Sequence, residues 1–452
     1  MSRAWALLHA VDLYHPPDSG VVSGLIYGPV GYFAYIPAAA LSEPAPAVAV
    51  GVALSAGMTL CAAWLLLSAA RYHDDPPRSI ALAVFLILAM HWYVSRAADG
   101  MWMIHVDATV LALCALCCFL TWRHDLAQSF SPQLALAALC AALAVWGKQT
   151  TVPVLFVPGL WLALQGARGA AILLATAGIG CAALLGLAFG ALYGFEDMAF
   201  TMFAAPASHA RHPGLILQDG ARIWEFLDVG ALALIAWFLA AGRTDRASLV
   251  VRPEALYLLL GLALIPTSVL GRIKAGGAVN NYGGPDFFLA AAVGASLLGA
   301  WNLAGTSRRR TMQVALAGLL LIQTVRVAPQ AVETWFTRIQ SPKKSPASEA
   351  FEYARANPGT TYFAWHPLAS ALAEGKLYHS YFGVHQRDQT AQTVSDEHLR
   401  AGLPEKLERI AFKGAIYHAA MARLPEFACR VEVAELPGWT VFERCPAEQT
   451  PP

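Results

Sequence analysis

The sequence predicts an all-α polytopic membrane bundle of about ten transmembrane helices, followed by a small soluble α/β domain at its C-terminal end. Three observations carry this expectation. The chain is 57% hydrophobic and only 13% charged, whereas a soluble domain carries about 25% charged residues. Much of its surface must therefore be hidden from water, and lipid is the simplest way to hide it. Apolar runs recur through residue 329, close to the roughly 17–25 residues that a helix needs to cross a bilayer core. Beyond residue 330 the texture changes to short segments that mix charged, aromatic and turn residues.

Residues 1–43 read as an outward-facing loop with an interfacial helix. The opening MSRAWALLHAVDLYHPPDSG lacks the apolar core of about 7–15 residues that a cleavable signal peptide needs. The segment 28–42 is too short and too rich in turn residues to span, so it is expected to lie at the interface or to re-enter. The transmembrane domain is expected over 44–329, with spans at 44–70, 79–95, 106–122, 131–146, 150–165, 169–193, 227–242, 254–271, 285–303 and 311–329. Pro153 and Pro158 fall inside one of these, where neighbouring helices can satisfy the freed backbone groups. No repeat of about 20–50 residues is visible.

Basic residues orient the bundle. The loops 71–79, 121–130, 166–169, 242–253 and 304–311 hold ten Lys and Arg, against six in the longer alternate set. The first set is expected in the cytoplasm. Residues 1–43, the loop 194–226 and the soluble domain 330–452 then lie outside it, at a bacterial plasma (inner) membrane.

In the tail, ASEAFEYARANPG predicts a helix stopped by Pro-Gly, and ASALAEG a second, shorter one. TTYFAWHP and KLYHSYFGV read as strands, PEKLERIAFKG as a helix leading into GAIYHAA, and RVEVAEL with WTVFER as a closing hairpin. Cys429 and Cys445 flank that hairpin symmetrically about residue 437. Opposed residues of an antiparallel pair lie about 4.5–5.5 Å apart, within disulfide reach, and an extracytoplasmic location preserves such a bridge. A Cys429–Cys445 disulfide is expected.

The formal net charge of +1 argues against a nucleic-acid partner, which calls for a strong basic excess. The run CALCC at 114–118 has the look of a metal motif but no second ligand pair near it, so small-residue packing is the expectation and no metal site is assigned.

Four segments concentrate polar and aromatic residues on the outward side: 12–33, with Asp12, Tyr14, His15, Asp18, Tyr27 and Tyr32; 95–108, with Arg96, Asp99, Trp102, His105 and Asp107; 146–150, with Lys148 and Gln149; and 271–286, with Arg272, Lys274, Asn280, Asn281 and Tyr282. Each has an ordinary structural reading, as an interfacial ion pair, a helix cap or an aromatic belt. Their shared side makes one cavity the stronger expectation, since ionisable groups near membrane depth are costly. A carboxylate there suits removal of a hydroxyl proton, cationic groups suit a phosphate leaving group, and aromatics beside amides suit a sugar ring.

Tyr27-Gly28-Pro29 followed by Gly-Tyr-Phe resembles the YGP/YPP segment of GT-C-type glycosyltransferases, multi-pass enzymes that use polyprenyl-phosphate sugars and include the protein O-mannosyltransferase and aminoarabinose transferase relatives. HVDA (105–108), WGKQT (146–150) and GRIKAGGAVNNY (271–282) are similar to motifs of bacterial members. In the family a first helix and an acidic motif precede the stretch that AWALLHAVDLY (4–14) resembles, and the expectation is that these are missing here. The resemblance implies transfer of a sugar from a polyprenyl-phosphate donor to a glycan, lipid or protein acceptor outside the cytoplasm. It implies Asp107, then Asp12, as the catalytic carboxylate. Lys148, Arg272 and Lys274 become phosphate contacts, and Gln149, Asn280, Asn281, Tyr282, Tyr27 and His105 further substrate contacts. No cofactor is assigned, and a divalent cation is left open. The rival reading is a non-enzymatic membrane protein, either a lipid or polysaccharide transporter or an inactive homologue.

Overall fold

The computed structural model describes residues 1–16, 18–24, 26–69, 104–218, 251–274, 277–303, 346–390, 392–413, 423–427, 429–436 and 438–445. These residues are mostly helical, with one small sheet near the C-terminus. The expected spans 79–95, 227–242 and 311–329, and the segment GAIYHAA, lie outside the described residues.

Among the described residues three helices are long and apolar enough to cross a membrane: α4 (Pro44–Ala69), α8 (Arg168–Tyr193) and α9 (Pro253–Arg272). Three shorter apolar stretches accompany them, namely α5 (Val106–Trp122), α6 (Pro132–Gly147) and a 3₁₀ turn (Gln149–Leu155) that runs into α7 (Val157–Leu164). Pro153 sits in the 3₁₀ turn and Pro158 in the first turn of α7. The helix change thus falls where proline removes the backbone donor that an α-helix would need. A further helix, α10 (Gly283–Leu303), packs on α9. Before α4, the short helices α2 (Val30–Phe33) and α3 (Ile36–Ala39) occupy the segment expected to lie at the interface, and α1 (Ser2–Leu8) precedes them.

The chemistry of the surfaces follows from the sequence. Where α4, α5 and α6 meet, Ala62, Ala63, Cys114, Ala115, Cys118, Ala137 and Ala141 are buried together. Small side chains let the backbones approach, which is how helices associate when lipid is as apolar as the side chains themselves. Cys114, Cys117 and Cys118 are buried free thiols of this packing. By contrast Ile172, Leu184, Leu187 and Leu192 of α8 stand more than 60% exposed. An apolar stripe of that kind on a long helix fits contact with lipid.

Among the described residues the C-terminal region forms a four-stranded sheet in the order β1 (Thr361–Phe363), β2 (Arg409–Phe412), β4 (Thr440–Glu443) and β3 (Cys429–Val431), with the β1–β2 pair parallel and the others antiparallel. Helices α11 (Pro346–Ala356), α12 (Pro367–Glu374), α13 (Tyr381–Asp388) and α14 (Asp396–Ala401) accompany it. Two expectations are corrected here. PEKLERIAFKG supplies the central strand β2, not a helix: Ile410 and Phe412 enter one apolar cluster while Ala411 enters another. A strand covered on both faces shows a continuous apolar run in place of alternation. KLYHSYFGV, expected as a strand, contributes the start of α13, whose Tyr381 and Val384 are buried one helical turn apart.

A disulfide joins Cys429 and Cys445 across a Cα–Cα distance of 5.1 Å. The register differs by two residues from the symmetric one expected. Cys429 is opposite Glu443, and Cys445 follows the strand, its N–H donating to the carbonyl of Glu426. A shift of two keeps both side chains on one face, so the bridge survives the change of register.

The N-terminal segment ties this domain to the bundle. Val22 is fully buried in the domain core; its N–H donates to His379 Nδ1 at 2.9 Å and its carbonyl accepts from Ser380 N–H at 2.7 Å. The chain crosses α13 where Gly24 faces Phe382 and Gly383 faces Ser23, and a Cβ at either glycine would overlap its neighbour. Arg387 Nη2 donates to the His15 carbonyl at 2.7 Å.

A cavity between the bundle and the α/β domain

The YGP, HVD and WGK segments pack directly on one another. A Cβ on Gly28 would run into the carbonyl of Trp146, and one on Gly31 into Val106. Tyr35 Oη donates to the His105 carbonyl at 2.6 Å. Gln149 Nε2 donates to the carbonyls of Ile26 (2.9 Å) and Met202 (3.1 Å), and Thr267 Oγ1 donates to that of Thr150 at 2.6 Å. Segments far apart in sequence are thereby held together at the ends of α5, α6 and α9.

Beside them lies a cavity of about 470 Å³, lined also by Phe382 and Gln386 of α13. Of the sequence-predicted residues, Tyr27, His105, Gln149, Lys274, Asn280 and Asn281 line it. Asp107, Lys148, Arg272, Tyr282 and Asp12 do not, and each has a physical reason. Asp107 is saturated: Oδ1 accepts from Lys148 Nζ at 2.7 Å, and Oδ2 is 2.9 Å from both His105 Nδ1 and Asn280 Nδ2. The Lys148 side chain is 5% exposed and sits in this pair behind the cavity wall, where a separate small pocket touches both residues. The carboxylate expected to take the acceptor's proton, and the ammonium expected to hold phosphate, instead brace the residues in front of them. Arg272 Nη1 donates to the Gly277 carbonyl at 2.8 Å, which steadies its own turn. Tyr282 is core, 2% exposed. Asp12 lines a different, much smaller cavity with Arg3, Ser23 and Tyr378.

The consequence falls on His105. A carboxylate only accepts, so the Nδ1 that faces Asp107 carries the hydrogen, and in the neutral ring it is Nε2 that holds the lone pair. The ring lies edge-on to Tyr27, centroids 5.5 Å apart, and lines the cavity. An imidazole oriented by a buried carboxylate, with its second nitrogen unprotonated, is suited to take a proton from a hydroxyl.

Sequence reasoning missed Arg3, Met202, Phe203, His209, Phe382 and Gln386, which also line the cavity. His209 is positioned by a staple between two loops: Arg211 and Lys274 form an isolated antiparallel bridge, and His212 N–H donates to the Ile273 carbonyl at 2.7 Å. Burial, and then the positive charge of Arg211, push the Lys274 ammonium below its ordinary value. Among the described residues no group of three or more His, Cys, Asp or Glu side chains is arranged to hold a metal ion. Compared with protein-family models, with curated proteins and with solved structures, the chain shows no match.

Proposed function

We propose that the protein is a GT-C-type membrane glycosyltransferase, with about ten transmembrane helices, that moves a sugar from a polyprenyl-phosphate donor to a glycan, lipid or protein acceptor. The reaction takes place on the extracytoplasmic face of a bacterial inner membrane. One observation carries this reading: Tyr27, His105, Gln149, Lys274 and Asn280, drawn from four distant motif segments, line a single cavity beside the bundle. Lys274 supplies charge for the phosphate, the amides of Asn281 and Gln149 lie beside the sugar, and Tyr27 offers an aromatic wall. His105 Nε2, not a carboxylate, takes the proton from the acceptor hydroxyl while Asp107 holds the ring and stabilises its charged form. The acceptor oxygen displaces the phosphate at the anomeric carbon with inversion, and the α/β domain shapes the acceptor side through Phe382 and Gln386.

The test is turnover. The purified chain in lipid nanodiscs is expected to release polyprenyl phosphate from a polyprenyl-phosphate sugar when a panel of hydroxyl acceptors is supplied, as followed by mass spectrometry. His105→Gln should lower that rate by about 100-fold or more, the scale of a lost general base. Failure of the intact chain to turn over any donor in a panel of hexosyl and pentosyl lipids would overturn the reading.

A further inference from the structure

Four features of the cavity's cationic end belong together. No carboxylate among the described residues lines the cavity, whereas Arg3, Lys274, His105 and His209 do. Among the described residues, none pairs with Lys274 through a carboxylate. His209 is only 7% exposed, yet its Nε2 has no hydrogen-bond partner among the described residues. The loop staple at Arg211–Lys274 fixes its backbone beside that of Lys274. A buried polar nitrogen left unsatisfied costs stability, and such a group lining a cavity of one sign of charge calls for a ligand that completes it. The missing partner is an anion with several acceptor oxygens.

We propose that Lys274 and His209 together bind the phosphoryl group of a lipid phosphate, as the sugar-bearing diester or as the monoester it leaves, and that His209 takes up a proton when the anion arrives. This rests on the proposed function and adds the acid to it. Without an anion, burial first, then the charges of Lys274 and His385, hold the His209 imidazole below its ordinary value, so it is neutral near pH 7. A bound anion offsets all three and makes the imidazolium the stable form. The charged groups near it are Lys274 on the loop after α9, Arg211 and His212 on its own loop, and His385 on α13, with Arg3 and His105 lining the same cavity.

In the transfer step the acceptor O–H proton passes to His105 Nε2 and the acceptor oxygen bonds to the anomeric carbon. The bond from that carbon to the phosphate oxygen breaks, and its electron pair stays on the phosphate. The imidazolium of His209 gives its Nε2 proton to that oxygen, so the departing group leaves as a singly charged phosphate monoester. Proton count and charge balance without any further reactant.

The experiment measures binding, independently of turnover. The full chain in nanodiscs is titrated with a short-chain polyprenyl monophosphate, with inorganic phosphate and with the matching polyprenol. Calorimetry in two buffers of different ionisation heat gives the protons taken up. The monophosphate is expected to bind with uptake of about one proton near pH 7, inorganic phosphate more weakly with the same uptake, and the polyprenol with none. His209→Gln should weaken monophosphate binding about tenfold and abolish the uptake; Lys274→Gln should weaken binding about tenfold and leave the uptake in place. Equal binding of polyprenol and monophosphate, or unchanged uptake in His209→Gln, overturns the site. Phosphate binding with His209-dependent uptake but no sugar transfer overturns glycosyl transfer and leaves the site standing.

Discussion

Two ion pairs with nearly the same separation lie in the two halves of the molecule and do opposite work. In the bundle, Lys148 Nζ lies 2.7 Å from Asp107, with side-chain exposures of 5% and 11%. In the α/β domain, Lys376 Nζ lies 2.6 Å from Glu405, with exposures of 57% and 81%. Distance alone does not separate them; solvent does. The buried pair belongs to a set in which each group satisfies another, so it fixes the His105 ring and the Asn280 amide at the cavity. The exposed pair competes with water and salt and fixes nothing else. The difference teaches where this protein uses charge for precision: at the bundle's mouth, behind the cavity wall.

The comparison breaks most readily at Asp107. Asp107→Ala leaves the Lys148 ammonium buried without its counter-ion and removes the acceptor for His105 and Asn280. A buried pair broken on one side costs about 3–5 kcal/mol, so thermal unfolding in detergent should show the largest loss of any single change at the cavity. A loss below about 1 kcal/mol would mean that water reaches Lys148 and that the two pairs are alike after all.

The same contrast explains what was legible in the sequence. In the bundle, burial and lipid contact both favour apolar residues, so long runs such as 44–70 and 169–193 mark helices directly. The motif glycines were legible too, because Gly28 sits against the Trp146 carbonyl and Gly31 against the Val106 side chain. The roles within the site were not. Whether Asp107 faces the cavity or the wall depends on which donors surround it, and Lys148 and Asn280 reach it from 41 and 173 residues away. His209 had no local signal, since its placement beside Lys274 comes from a bridge between two loops. In the α/β domain the patterns themselves misled. Cover on both faces of β2 erased its alternation, and the spacing of Tyr381 and Val384 was masked by neighbouring aromatics.

A second way to sharpen the contrast lies at the strap that joins the two halves. His379 is fully buried; its Nε2–H donates to the His398 carbonyl at 3.0 Å, so Nδ1 must accept the Val22 N–H. Burial first, and then the nearby His398, His15 and Arg387, push its pKa down to about 4, opposed by the bond to the His398 carbonyl. The unfolded chain, with an ordinary value near 6.5, takes the proton first. The contribution is therefore fully present above about pH 6.5 and is lost as pH falls towards about 4. That gap corresponds to roughly 3 kcal/mol. The thermal midpoint of the intact chain should fall between pH 7 and pH 4.5 by more than that of His379→Gln, which cannot titrate. Parallel curves for the two would remove His379 from the account.

The smallest expected effect is the most direct test of what burial does. Lys376→Ala removes one partner of an ion pair whose geometry is as short as that at Asp107. Both side chains of this pair are mostly in water, where the Coulomb attraction is screened and ordering two long side chains costs entropy. No buried donor or acceptor is left unsatisfied when the lysine goes, because Glu405 is hydrated with or without it. The thermal midpoint of Lys376→Ala should match that of the intact chain in both low and high salt. A clear drop that vanishes at high salt would show that the surface of the α/β domain carries electrostatic stability of its own, and would narrow the contrast with Asp107 from the other side.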